Sequence, residues 1–244
     1  MKLVQVFLVC GCFVLFSLVL GVAEVPFGIS DGLAARAAGG LQGDKLVYAD
    51  FETVKDNRPV SNGGGAIQLV GYQQNPTMQS RFKGQDGSNP PAPELVHLKK
   101  DDPNRAIAFS YQILSPNDWA GVGVEIHARE QKDGKEQAID VGSYKYLTLQ
   151  LYASGAQYGR VDFVSRDQGM NLNKDFPQAP FSITQGFNTY RIPLNSVSQP
   201  SYVDVRISEK ELLKKLTAIQ IYIYCQQCAP MTGQVVIDNV VFTK

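Results

Sequence analysis

The chain has 244 residues, enough for one large core or two small ones. Lys plus Arg and Asp plus Glu balance at 23 each, so the basic excess that nucleic-acid or anionic-membrane binding needs is absent. Only 19% of residues are charged, and Tyr, Phe, Gly and Pro are plentiful, a mixture that suits an all-β domain with many turns.

The N-terminus reads as a targeting segment. Lys2 is the one charge before an apolar run from Leu3 to Val22, and Gly21-Val22-Ala23 closes it with the small residues a signal peptidase reads. Cleavage after Ala23 is expected, making residues 1–23 a signal peptide and the protein secreted or periplasmic. The alternative is an uncleaved anchor, because the run is about long enough to span a bilayer. A membrane association rests on that alternative alone. Residues 24–44 are Gly- and Ala-rich without a strong period and read as a linker, with one helical turn at Leu33 to Ala38.

A single domain is expected over residues 45–244. KLVYADFETV, from Lys45, alternates Val47, Ala49 and Phe51 with Tyr48, Asp50 and Glu52, the period of a half-buried strand. A turn-rich break follows at Asn57 to Gly65, then short strands at Ala66 to Tyr72 and Leu95 to Leu98, around a polar Gly/Pro-rich excursion. Ala106 to Ile113 places Ile107, Phe109, Tyr111 and Ile113 on one face. Trp119 to Ala128 places Ala120, Val122, Val124 and Ile126 on one face and Trp119, Gly121, Gly123, Glu125 and His127 on the other. Asp133-Gly134 marks a hairpin-like turn. Tyr144 to Ala153 puts Leu147, Leu149 and Leu151 against Tyr146, Thr148, Gln150 and Tyr152. Arg160 to Ser165 puts Val161 and Phe163 against Arg160, Asp162 and Val164. Asp167 to Ala179 reads as a loop and Phe187 to Leu194 as a strand. Ser208 to Leu216 is the one good helical segment, with Ser208 and Glu211 spaced as a capping box. The chain closes on a long hairpin. Ile219, Ile221 and Ile223 alternate with Gln220, Tyr222 and Tyr224. Val235, Ile237, Asn239 and Val241 then alternate with Val236, Asp238, Val240 and Phe242. Nine or ten such strands with one short helix predict an antiparallel β-sandwich of the jelly-roll kind.

Cleavage would leave two cysteines, Cys225 and Cys228, in the hairpin loop. Export favours a small disulfide there over half a zinc site, since His97 and His127 are the only histidines and no second Cys pair exists.

Asp50-Phe51-Glu52, Asp140 through Leu147, Phe187 through Leu194 and Ile237-Asp238-Asn239-Val240 together resemble the galactose-binding-like jelly rolls used as carbohydrate-binding modules. The pattern is also similar to the domain of the mitochondrial complex I intermediate-associated protein, which shares that fold. The first resemblance implies non-catalytic binding of poly- or oligosaccharide. The second implies an interaction or assembly factor that holds another protein on the same sheet. In similar jelly rolls a calcium ion ties the first strand to the last, and Asp50, Glu52 and Asp238 are the matching carboxylates here.

Sugar binding needs aromatic faces for pyranose rings and planar polar groups for hydroxyls. The residues opposite the core on apolar strands supply both: Tyr146, Gln150, Tyr152, Arg160, Asp162, Gln220, Tyr222 and Tyr224, with Trp119 opening its own strand. Taken singly, each of these also reads as an ordinary surface residue of a sheet. An enzyme is not expected: no spacing singles out an acid–base pair, and neither His-Glu-x-x-His nor a phosphate-binding glycine loop is present.

Overall fold

The computed structural model describes residues 43–73, 92–113, 120–166, 176–204, 206–225 and 231–244. The signal segment, nearly all of the linker with its expected helical turn, Trp119 and Cys228 lie outside the described residues, as does the side chain of Cys225.

Thirteen strands and one five-residue helix are present among the described residues. In chain order the strands are β1 Lys45–Ala49, β2 Val54–Lys55, β3 Arg58–Pro59, β4 Ile67–Gln73, β5 Glu94–His97, β6 Arg105–Ile113 and β7 Ala120–His127. There follow β8 Tyr146–Ala153, β9 Tyr158–Val164, β10 Gln178–Ser182, β11 Asn188–Pro193, helix α1 Glu209–Leu213, β12 Ala218–Cys225 and β13 Met231–Thr243. They form two antiparallel sheets. One has the order β11-β8-β13-β6-β5, with β1 also paired to β13; the other runs β10-β9-β12-β7-β4. β2 and β3 form a separate small hairpin, turned at Asp56 and Asn57 with φ of 50° and 61°. The architecture is the expected β-sandwich.

The core lies between the two sheets and is built from alternate residues of each strand. Leu147, Leu149 and Leu151 of β8, Ile107 and Ile113 of β6, Val122, Val124 and Ile126 of β7, Val161 and Phe163 of β9, and Ile219, Ile221 and Ile223 of β12 are all buried there. Ser208 caps α1 as expected, its side chain accepting from the Glu211 amide.

Three local expectations change. The first strand breaks register between Val47 and Ala49, so Tyr48 joins Ala49 and Phe51 in the core and its hydroxyl donates to the Ile126 carbonyl at 2.7 Å. The last strand breaks register between Asp238 and Val241, where Asn239 adopts φ 49°. Val235 and Ile237 face the core before that bulge; after it Val240 and Phe242 do, so the simple alternation of the sequence does not run through the strand. The segment read as a loop up to Ala179 ends in an edge strand, β10. Proline is tolerated there because an edge strand leaves one side of its ladder unpaired. Phe181 of β10 lies over Gly159 of β9, where a Cβ would come within 2.4 Å of the Phe181 ring, so the absent side chain lets that ring in.

Candidate functional site

The outer face of the five-stranded sheet is set by register. One row across it is Gln68, Glu125, Gln220, Asp162 and Gln178; the next is Val70, Gly123, Tyr222, Arg160 and Pro180. Tyr224 and Tyr158 lie one step further along β12 and β9.

The face has two halves of different character. The half over β9, the end of β12 and β10 is the accessible one. Tyr158 is 51% exposed, and its ring packs beside Tyr224 at 6.0 Å with 33° between planes. Arg160 lies with its guanidinium carbon 5.3 Å from the centre of the Tyr222 ring and 5.9 Å from that of Tyr224. Asp162, two residues along the same strand, holds it as an ion pair: Nη2 donates to Oδ2 at 2.9 Å, and Nε lies 2.7 Å from Oδ1. Burial raises the Tyr224 hydroxyl pKa, Arg160 opposes that and Tyr158 adds to it. The hydroxyl therefore remains a neutral donor and acceptor at physiological pH.

The other half is a buried ionic network. Glu125 is 2% exposed. Its Oε1 accepts from Gln68 Nε2 at 3.1 Å and Arg166 Nη1 at 3.1 Å, and lies 2.8 Å from His127 Nε2. Its Oε2 accepts from Arg166 Nη2 at 2.9 Å and from Gln220 Nε2. Burial by itself would raise the Glu125 pKa. The bonds from His127 and Arg166, the Arg166 charge and the bond from Gln220 together outweigh it and hold the carboxyl well below the usual carboxylate range. Arg166 also reaches Glu136 at 2.8 Å.

Arg160, Asp162, Gln220, Tyr222 and Tyr224 thus share one face, but Asp162, Gln220 and Tyr222 are buried below 10% exposure and act as supports for the groups above them. Tyr146, Gln150 and Tyr152 are on β8, in the opposite sheet, so the expected single platform is divided between two outer faces. There Arg191 stacks 3.6 Å from the Tyr146 ring centre, covering it, and Gln150 accepts from Asn239 at 3.1 Å. Tyr152 packs on a satellite cluster of Leu98, Ala106, Ala108 and Val236. Tyr158, Arg166 and Glu136 were not among the sequence candidates. The signal for the first two was available: residues 158, 160, 162, 164 and 166 continue one period of two, and the strand begins two residues before Arg160.

At the proposed calcium ligands, Asp50 accepts from Asn62 at 3.0 Å, Glu52 pairs with Arg105 at 3.2 Å, and Asp238 accepts from Asn104 at 2.9 Å and from Asn239 at 2.8 Å. Asp238 is wholly buried. Burial pushes its pKa up to about 6, the bonds from Asn104 and Asn239 opposing and the charges of Glu52 and Asp50 adding. Each of the three carboxylates is thus engaged by a nitrogen donor of the protein, Asn62, Arg105 or Asn104 with Asn239. Among the described residues, no group of three or more His, Cys, Asp or Glu side chains gathers as a metal shell.

No family model matches the chain, and no curated protein does. Solved structures do. A family 11 carbohydrate-binding module from Clostridium thermocellum, in complex with a β-1,3-1,4-mixed-linked tetrasaccharide, superposes with a TM-score of 0.50 at 11% identity, over 82% of this chain and 95% of that one. The chain shares the β-sandwich fold of that module. The family 11 module of the Clostridium thermocellum cellulase Lic26A-Cel5E aligns at TM-score 0.48 and 12% identity, over 82% of this chain and 94% of that one. A family 30 module of a second cellulase from the same organism aligns at 0.42 and 8%, over 72% and 92%. No helix among the described residues is long and apolar enough to cross a membrane.

Proposed function

We propose that the protein is an exported, non-catalytic glycan-binding β-sandwich, which takes a sugar ring at the open corner of its five-stranded sheet. The observation that carries this reading is the pair Tyr158–Tyr224 beside an Arg160 anchored by Asp162. The exposed Tyr158 ring, with the half-buried Tyr224 ring beside it, would stack on the apolar face of a pyranose, and the guanidinium would donate to its hydroxyls. The mixed-linked tetrasaccharide bound by the family 11 module supports a glycan as the ligand class. Glu125 is unsuited to acid–base work, because both its oxygens are engaged and its proton affinity is low. A protein-docking face would expose a contiguous apolar patch. Among the described residues the exposed large hydrophobics are Val54 on β2, Tyr158 on β9 and Tyr202 in the turn before α1, far apart in sequence.

Cleavage after Ala23 and a domain from Lys45 belong to the same reading. Affinity electrophoresis of the purified protein through gels carrying neutral β-glucans, mannans and xylans tests it. Retardation by at least one is expected; free migration through all of them, with no binding to insoluble polysaccharide, would remove glycan binding.

Calcium is a separate proposal, with Asp238, Asp50 and Glu52 as its ligands. Added calcium should raise the melting temperature and a chelator should lower it, since a cation bound only by the folded state stabilises by mass action. A melting temperature indifferent to both would remove the ion.

A further inference from the structure

The outer face of the five-stranded sheet carries few charges, and its cations are all held by carboxylates. β4, β10 and β12 contain no charged residue. β9 contributes Arg160 and Asp162, and β7 contributes Glu125 and His127. Arg166 and Glu136 join them from the end of β9 and the β7–β8 connection. Arg166 gives both of its Nη groups to Glu125 and also bonds Glu136. Arg160 is held by Asp162, which is buried. Among the described residues, two guanidiniums on this face therefore meet three carboxylates, and no protonation state of His127 gives the face an excess of positive charge.

We propose, resting on the reading that this corner binds a glycan, that Asp162 sets its charge specificity: by cancelling the Arg160 charge it makes the corner take neutral glycans and reject those that carry carboxylates or sulfates. A guanidinium has five N–H donors in a fixed fork, so Arg160 can serve a sugar hydroxyl without leaving Asp162. It has only one charge to give. An anionic sugar that took Arg160 for itself would strip a buried carboxylate of its cation, which is costly. An anionic sugar that shared Arg160 would lie beside the Asp162 charge, and like charges at an interface repel strongly. The pair cannot simply be drawn apart, because residues two apart on a strand project from the same face. The Arg160 plane also lies beside the Tyr222 and Tyr224 rings, which limits where it can swing. Arg166 offers no substitute, since its guanidinium is already shared by two carboxylates.

Calorimetric titration with matched ligands tests this. Neutral gluco- and manno-oligosaccharides are compared with the same compounds after oxidation of their primary hydroxyls to carboxylates, and xylo-oligosaccharides with and without glucuronate branches. The wild type is expected to bind the neutral member of a pair at least about tenfold more tightly. Asp162→Asn keeps the size of the side chain and leaves Arg160 its charge. It should raise affinity for the acidic member roughly tenfold while weakening neutral binding, and the gain should fade with added salt. Glu211→Gln makes the same change of net charge on α1, where Glu211 pairs with Lys214, and should keep the wild-type preference. Equal wild-type affinity for both members of a pair would overturn the proposal, and that comparison holds even if the variant fails to fold. So would a folded Asp162→Asn protein that keeps the wild-type preference. Binding of neither member by the wild type would remove the glycan reading itself, and the specificity with it.

Discussion

Replacing Glu125 with alanine is expected to lower the unfolding free energy by about 3–5 kcal/mol, the cost of breaking a buried ion pair from one side. The loss is large because the carboxylate holds β4, β7, β12 and the end of β9 together through Gln68, His127, Gln220 and Arg166. Its removal leaves the Gln68 and Gln220 amides and the His127 ring without their shared acceptor on a largely buried face, while Arg166 keeps Glu136. Chemical denaturation of the two proteins measures the difference. The acid limb checks the sign. The Glu125 pKa is lower in the folded state than in the unfolded chain, so its contribution is present above the unfolded value of about 4.3 and is lost as pH falls below it. Wild type should lose stability through that acid range, and the Glu125→Ala protein should show a shallower dependence. A difference below about 1 kcal/mol would mean that the network is a surface ornament.

The second large effect concerns binding. Tyr158→Ala and Tyr224→Ala should each weaken glycan affinity roughly tenfold or more, because each removes a stacking face that no neighbour replaces. Tyr158 is half exposed, so its variant should keep the wild-type melting temperature, which separates lost contact from lost fold. Asp162→Asn should act through Arg160, loosening the guanidinium while leaving both rings in place. Tyr152→Ala is the matched control. It alters a tyrosine of the opposite sheet and should change affinity by less than about twofold. Calorimetric titration of the four variants distinguishes these outcomes.

Local periodicity made the fold legible. The alternation in Leu147 to Leu151 and Ile219 to Ile223 is a direct print of a half-buried strand, and each of those side chains is in the core. Periodicity cannot see where one residue is inserted into a ladder. At Asn239 a left-handed residue shifts the register, so Val240 and Phe242 turn inward with Val235 and Ile237 although simple alternation sets them opposite. The same blindness hid Tyr48. The site was legible only in part for a different reason. Which sheet receives a strand is decided by pairings between residues far apart in sequence. Tyr146 and Tyr152 have the same local pattern as Tyr222 and Tyr224, yet β8 pairs with β13 and β11, and β12 pairs with β9 and β7. The outward parity of Glu125 and His127 was readable along β7. Their meeting with Arg166 and Glu136 was not, because it depends on β9 and a connection folding onto the same face.

The most direct test of the glycan corner is a backbone amide titration by nuclear magnetic resonance, with whichever neutral oligosaccharide retards the protein in the gel. Shifts that saturate together at Tyr158, Arg160, Tyr224 and Phe181, while the outward residues of β8 stay still, are the predicted result. Shifts centred on Tyr146, Gln150 and Tyr152 of the six-stranded sheet, with the Tyr158 corner unmoved, would contradict it.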